Sequence, residues 1–309
     1  MNMLKQWSKN LKEFERQFET EKQCRDYIFQ LKFPDGFICP KCGHNEAWER
    51  GNGVYKCKHK KCRQEMSVLT GTIFQDSRTP LTTWFRAIWQ VIAQKSGVSA
   101  NGLQAVLGIG GYQTSWTILH KIRRAMVRPN REKLSGTVEV DEAYIGGSSK
   151  GKRGRGANSK SLMTIAVEFN NNKIGRIRLK IIENASSESL LGFVQETVED
   201  GSEIVTDGWR GYNSLSANGY THTVAKDEST DNLLPHVHTT ISLLKRWLLG
   251  TLQGACSKEH LPSYLDEYTF RYNRRTSKSR GLLFLRVLEN AVQMETTTYK
   301  EIIKCGIIA

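Results

Sequence analysis

Two sets of side chains in this chain have the types and spacing to do chemistry. The first is a pair of aspartates, Asp141 in VEVDEAYIGG and Asp207 in EIVTDGWRGY. Val138 and Val140 alternate with Glu139 and Asp141, the period-2 pattern of a half-buried strand, and Gly146-Gly147 ends the run. A carboxylate held in mid-strand contributes nothing to packing and needs a cation or water as partner. One reading is a sheet-face aspartate paired with one of the chain's many basic residues; the sharper one is a divalent-metal ligand. Mg2+ and Mn2+ take carboxylate oxygens and keep positions for water and phosphate oxygens. Two such ions about 3.5–4 Å apart can assist in-line displacement at a phosphodiester. The second set is Cys39-x2-Cys42 and Cys57-x4-Cys62, separated by fourteen residues. Two cysteine knuckles joined by a short strand-turn-strand have the form of a zinc ribbon. Four thiolates close the tetrahedral shell, so this Zn2+ is expected to be structural. It would stand in for a core that so short a segment cannot build.

The elements that must hold these groups can be read from local pattern. Strands are expected at 161 to 169 and 173 to 183, joined by a turn at Asn170-Asn171-Asn172. A helix capped by Ser186 or Ser187 carries Leu190, Leu191, Val194 and Val198 on one face. A short buried strand then ends at Asp207-Gly208. Three successive strands suggest an antiparallel meander, and the helical crossover suggests a parallel fourth strand. If that fourth strand lies beside the first, Asp141 and Asp207 meet. Glu142 is expected on the opposite face from Asp141, as a supporting or structural residue.

Upstream, residues 10 to 32 read as one amphipathic helix with Cys24 in its core. Thr79-Pro80 is expected to open a helix as N-cap and N1. Helices over Ser99 to Leu107 and Tyr112 to Met126, joined by a glycine turn, have the helix-turn-helix layout. Trp116, Leu119, Ile122 and Met126 are expected inside. Gln113, Thr114, Ser115, Thr117, His120, Lys121 and Arg124 are expected outside, able to meet bases and phosphates. The stretch 148 to 160, with Lys152, Arg153 and Arg155, reads as a basic loop that becomes ordered on phosphates. Helices follow from His236, over 259 to 275 and over GLLFLRVLENAV. Lys245, Arg246, Arg271, Arg274 and Arg275 are candidates to grip phosphates there, with Arg271 and Arg274 or Arg275 on one helix face.

Composition fits these readings. The chain has 309 residues with 45 Lys+Arg against 31 Asp+Glu, a net charge of +14, which favours a nucleic-acid partner. No 18-residue apolar run is present, so no membrane span is expected. The N-terminus lacks an apolar signal core and four of the seven cysteines are clustered, which fits a reducing cytoplasm.

Taken together, the motifs resemble the bacterial insertion-sequence transposases related to Merlin elements, in the DDE transposase group. The likeness runs through TEKQC…PDGFICPKCG, YKC…CRQEMSVLTGTIF, HKIRRAM, VEVDEAYIGG, VTDGWRGY and LKRWLLGT…YLDEYTFRYNRR. It implies an RNase H-like catalytic core, metal-dependent nicking at element ends and strand transfer by the freed 3′-hydroxyl. It also implies that Asp141 and Asp207 are the first two catalytic carboxylates. Relatives carry a glutamate seven residues before the lysine of SLLK; here that lysine is Lys245 and the position is His238. Histidine can ligate Mn2+ or serve as general base. Asp231 and Glu228 are the alternatives.

The expected fold class is multidomain α+β: an N-terminal helical segment 1–36, a zinc ribbon 37–78, a helix-turn-helix region 79–130, an α/β RNase H-like domain with a mixed sheet over 135–292, and a C-terminal tail 293–309. The expected activity is that of a DNA transposase with structural Zn2+ and catalytic Mg2+ or Mn2+. It would work on double-stranded DNA, element ends and target, as a homodimer or higher oligomer. The competing readings are a DNA-binding regulator with a decayed nuclease domain, and a structure-specific nuclease without strand transfer.

Overall fold

The computed structural model describes residues 7–128, 131–146, 160–171, 173–226, 233–253 and 256–304. Lys152, Arg153, Arg155, Glu228 and Asp231 lie outside them.

In chain order, the first elements are helices α1 (Leu11–Gln17) and α2 (Glu21–Lys32), then strands β1 (Ala47–Glu49), β2 (Val54–Cys57) and β3 (Glu65–Ser67). Helices α3 (Leu81–Ala93), α4 (Ala100–Leu107) and α5 (Tyr112–Ala125) follow. The middle of the chain holds β4 (Thr137–Ile145), β5 (Ser161–Asn170), β6 (Lys173–Ile182), α6 (Ser187–Thr197), β7 (Glu203–Thr206) and β8 (Thr221–Val224). Helices α7 (Pro235–Leu252), α8 (Leu261–Asn273), α9 (Arg280–Gln293) and α10 (Tyr299–Lys304) complete it.

These elements form two compact units, one of 1–128 with 277–303 and one of 129–276 with 304–309. The first unit is therefore discontinuous in sequence. Its aromatic core joins Phe14 and Phe18 of the α1 segment to Phe85 and Trp89 of α3 and to Phe284 of α9, with ring centroids 4.5–5.4 Å apart for Phe14–Trp89, Phe14–Phe284, Phe18–Phe85 and Phe18–Phe284. This corrects the expectation that the catalytic domain runs to residue 292. α9 carries the same amphipathic pattern as its neighbours, but it packs on α2, α3 and α5.

Local detail departs from the sequence reading in two places. Residues 10 to 32 form two helices, because Thr20 starts a new one. Its side chain accepts from Gln23 N while the Gln23 side chain accepts from Thr20 N, a complete capping box. α3 begins one residue later than expected, with Pro80 as a cap residue that has no side-chain bond to offer. The missing cap comes from α2. Glu21 accepts from Leu81 N at 3.0 Å, from Thr82 N at 2.8 Å and from the Thr82 hydroxyl at 2.9 Å.

β1, β2 and β3 make an antiparallel three-stranded sheet. Phe37, Cys39 and Cys57 are its buried centre, and Phe29 and Phe33 at the end of α2 pack against it. The ring of Phe29 stacks on Tyr55 at 4.7 Å. The ribbon therefore borrows helix α2 to complete its small core.

The second unit is a mixed sheet between two helical layers. Strand order is β6-β5-β4-β7-β8. β4, β5 and β6 are the expected antiparallel meander, and β7 is parallel to β4. β8, an edge strand parallel to β7, was not expected from the sequence. On one face Val138, Val140 and Ile204 pack with α6 through Leu190, Phe193 and Val194. On the other, Met163, Ile165 and Val167 pack with α7 and α8 through Val237, Ile241, Leu244 and Leu265. Alternation along β4 sends odd-numbered residues towards α7.

Candidate active site

β4 and β7 run parallel with Thr137 opposite Glu203, Val138 opposite Ile204 and Glu139 opposite Val205. Two further steps in this register bring Asp141 alongside Asp207. Asp141 sits at the centre of nine-residue β4; Asp207 follows the last residue of β7. Gly208 turns the chain there with φ +86°, a conformation that L side chains rarely adopt. The turn lets Trp209 N–H reach back to Asp207 Oδ1 at 2.9 Å. The Trp209 indole donates to Ala185 O at 3.0 Å and its ring packs against the α6-side core, so it is a packing residue.

The third member arrives from the first turn of α7. His238 Nε2 lies 3.5 Å from Asp141 Oδ2, with the histidine side chain 45% exposed and the aspartate 15%. Burial pushes the Asp141 carboxyl from its ordinary 3.8 up to about 6; the Glu142 N–H opposes this, the Asp207 charge adds to it, and His238 opposes it. The bond from Glu142 N to Asp141 Oδ1 is 2.7 Å long. The Glu142 side chain itself acts on buried Tyr212 on the α6 side, the opposite face as expected.

This donor set fits a divalent cation. Two carboxylates that repel each other, one of them desolvated, gain from a positive charge between them. The carboxylate oxygens suit Mg2+ or Mn2+, and the one imidazole is a poorer match for Mg2+ than for Mn2+. Asp141, Asp207 and His238 would hold the ion.

The cysteine site is tighter. Among the described residues, Cys39, Cys42, Cys57 and Cys62 are the group whose ligand atoms all lie within 4.8 Å of one another; the Asp141 trio is more open. Cys39 Sγ and Cys62 Sγ are 3.8 Å apart, and Cys42 Sγ and Cys57 Sγ 3.6 Å. Tetrahedral bonds of about 2.3 Å to zinc require sulfur edges of roughly 3.8 Å. Disulfides are excluded at these distances. Burial pushes the Cys39 thiol up, but N–H groups of Lys41 and Cys42 and the neighbouring thiols bring it down to about 7.

The other expected contact residues divide. α5 packs against α3, α4 and α9, so more of it is buried than a two-sided helix allows. Gln113 and Thr114 are exposed, and Thr117 and Arg124 half-buried. Lys121, Ser115 and His120 are buried, which corrects their expected outward placement. Lys121 Nζ donates to Ile73 O at 3.1 Å, and Arg124 bonds the Thr297 hydroxyl. A cavity of about 530 Å³ opens beside this helix, lined in part by Arg78, Gln113, Thr114 and Thr117. Lys245 and Arg246 project from α7 into solvent. Arg271, Arg274 and Arg275 do not form one cationic face. Arg271 pairs with Glu267 at 2.7 Å, Arg274 lies over the Phe270 ring, and Arg275 binds the Gly175 and Tyr272 carbonyls.

Sequence reasoning passed over two residues at this site. Glu139 has the same strand parity as Asp141, and its buried carboxylate touches the start of α7. His236 is its partner there. The shared parity of Glu139 and Asp141 was the available signal.

Two segments of the chain match known transposase modules. Residues 133–273 match the ISXO2-like transposase domain, and residues 19–65 match the transposase zinc-ribbon domain. The second match begins before α2, the helix on which the ribbon builds its core. An uncharacterised protein in transposable element ISH50 of Halobacterium salinarum is 26% identical over 299 residues, covering 89% of this chain and 98% of that protein. No helix among the described residues is long and apolar enough to cross a membrane. The β4–α8 unit with its aspartates thus belongs to the ISXO2-like transposase domains, and the four-cysteine module to the transposase zinc ribbons.

Proposed function

We propose that this chain is a DNA transposase that binds the ends of an insertion element, cleaves them in a divalent-metal-dependent reaction and joins the freed end to target DNA. What supports this reading is His238 Nε2 at 3.5 Å from Asp141 Oδ2, together with the parallel β4–β7 register that runs on towards Asp207. A bound Mg2+ or Mn2+ would supply Lewis acidity at the phosphodiester and lower the pKa of an attacking water or hydroxyl. Asp141 and Asp207 would hold and orient that cation. His238, half exposed beside Asp141, completes the donor set or takes a proton from the attacking oxygen.

The remaining parts serve recognition in this reading. Lys41, Arg50, Lys60, Lys61 and Arg63 are exposed on the ribbon and suit phosphate contacts. Gln113, Thr114 and Arg124 suit an α4–α5 reading head, and Lys245 and Arg246 lie on the helix that carries His238. Lys152, Arg153 and Arg155 would add phosphate contacts from the basic loop. Joining two element ends calls for a dimer or larger assembly on DNA, acting in the cytoplasm.

The test uses DNA carrying the element end. Asp141→Asn is expected to abolish Mn2+-dependent cleavage while binding persists; unchanged cleavage would sink the assignment. Joining of a labelled end oligonucleotide to plasmid separates a transposase from a nuclease, and repeated absence of joined product favours the nuclease.

A further inference from the structure

Helix α7 starts without a cap of its own. Leu234 occupies the cap position with no side-chain bond, and Pro235 opens the first turn. The cap comes instead from strand β4. Glu139 Oε2 accepts from Val237 N at 2.8 Å, and Oε1 lies 2.5 Å from His236 Nδ1. The Glu139 side chain is 4% exposed and that of His236 13%. On its other side the His236 ring stacks on Phe169 of β5, centroids 4.4 Å apart at 15°. Phe169 is itself paired with Thr137 of β4. Two strands and one helix start are therefore clamped through three side chains.

An asparagine or serine at position 234 would cap α7 locally with no buried charge. A desolvated carboxylate is a costly way to end a helix, and both its oxygens are committed to α7. What this arrangement does that a local cap cannot is tie the first turn to a defined point on β4, two residues from Asp141 and on the same face. Val237, the residue held, is adjacent to His238. We propose that Glu139, with His236, is a positioning residue that fixes the first turn of α7 so that His238 faces Asp141. The proposal rests on the reading of His238 as the third ligand. Glu139 does not touch the reacting atoms; it acts through His238, as partners beyond the ligand shell commonly do.

The test uses the full zinc-loaded chain with Mn2+ as probe, read by Mn2+ affinity and by pulsed EPR for the 14N modulation of a coordinated imidazole. Wild type is expected to show the modulation and His238→Ala to lose it. Glu139→Ala is expected to keep its far-ultraviolet CD spectrum, lose most of the modulation and bind Mn2+ about tenfold more weakly. Glu139→Gln, which keeps an oxygen for Val237 N–H, is expected to recover part of the loss. The double variant is expected to bind no more weakly than His238→Ala, because the two residues act in series. Full modulation and unchanged affinity in Glu139→Ala overturn the proposal. So do losses that multiply in the double variant, since Glu139 would then act independently of His238. A wild type without His238-dependent modulation removes the ligand reading, and the clamp with it. If Glu139→Ala does not fold, the same readouts on Glu139→Gln and His236→Ala decide; full modulation in both overturns the proposal.

Discussion

Replacing Asp141 by asparagine is expected to make the metal-free chain more stable at neutral pH while removing its cleavage activity. Burial raises the Asp141 carboxyl from 3.8 to about 6. A folded-state value above the unfolded one means that the protonated form is favoured in the native protein. The associated stability is fully present below pH 3.8 and is lost as pH rises through about 6. Above pH 6 the ionised aspartate therefore works against folding, and a gap of about 2 pH units corresponds to roughly 3 kcal/mol. The side chain is 15% exposed, so solvent screening removes little of this. Asparagine keeps an oxygen for Glu142 N–H but gives up the attraction to His238, so the net gain at pH 8 is about 1–3 kcal/mol. For a unit of this size that is about 2–4 °C in melting temperature per kcal/mol. The assay is calorimetry of both full-length chains at pH 4 and pH 8, following the transition of the mixed-sheet unit because two units need not melt together. The gain is expected at pH 8 and nearly absent at pH 4. Adding Mn2+ at pH 8 is expected to reverse the order by stabilising wild type alone. An equal shift at both pH values, or a destabilised variant at pH 8, refutes the reasoning.

Three further outcomes follow from the packing. Cys39→Ser breaks the thiolate tetrahedron; metal analysis is expected to fall from one zinc per chain towards none, with limited proteolysis opening the stretch between residues 37 and 67, and intact zinc content would contradict a four-cysteine site. Glu21→Ala leaves Leu81 and Thr82 N–H uncapped and is expected to cost about 1–2 kcal/mol in urea unfolding, with Glu21→Gln recovering part of it. Gly281→Ala places a methyl group 2.5 Å from Ser8 O and 2.6 Å from Trp7 Cβ, so a loss of about 1–3 kcal/mol is expected on the same assay, and a neutral result would mean that the segment at residues 7 and 8 yields freely.

Much of the candidate site was readable because it rests on short-range pattern. Period-2 alternation puts Asp141 in mid-strand and the helical crossover makes the fourth strand parallel, whereas His238 comes only from the resemblance, as the position where relatives carry a glutamate. The cysteine spacing gives the ribbon directly. What was missed depends on contacts distant in sequence. A charged residue in an alternating strand reads as solvent-facing, yet Glu139 is buried because a helix start about a hundred residues later supplies its partners. Lys121, His120 and Ser115 read as an outward polar face, but α5 is covered on several sides, and Lys121 finds a carbonyl at Ile73. The break between α1 and α2 did have a local signal, Thr20-x-x-Gln23, which the continuing Phe14–Phe18 stripe obscured. β8 is four residues on a sheet edge, too short for its alternation to stand out.

The split of the first unit around the second has a consequence for synthesis. Phe14, Phe18, Phe85 and Trp89 are translated early, but their partner Phe284 leaves the ribosome only after residues 129–276 of the mixed-sheet unit have been made. At elongation rates of about 5–20 residues per second that delay is on the order of 10–40 s. Through that interval the aromatic faces of α1 and α3 have no α9 to cover them, and transiently exposed apolar surface of this kind favours aggregation. A chain terminated anywhere before α9 would never close this core. Helix α5, which carries Gln113 and Arg124, would then lack the support of α9, so premature termination at a distant codon disables the proposed DNA-reading unit as surely as a lesion within it.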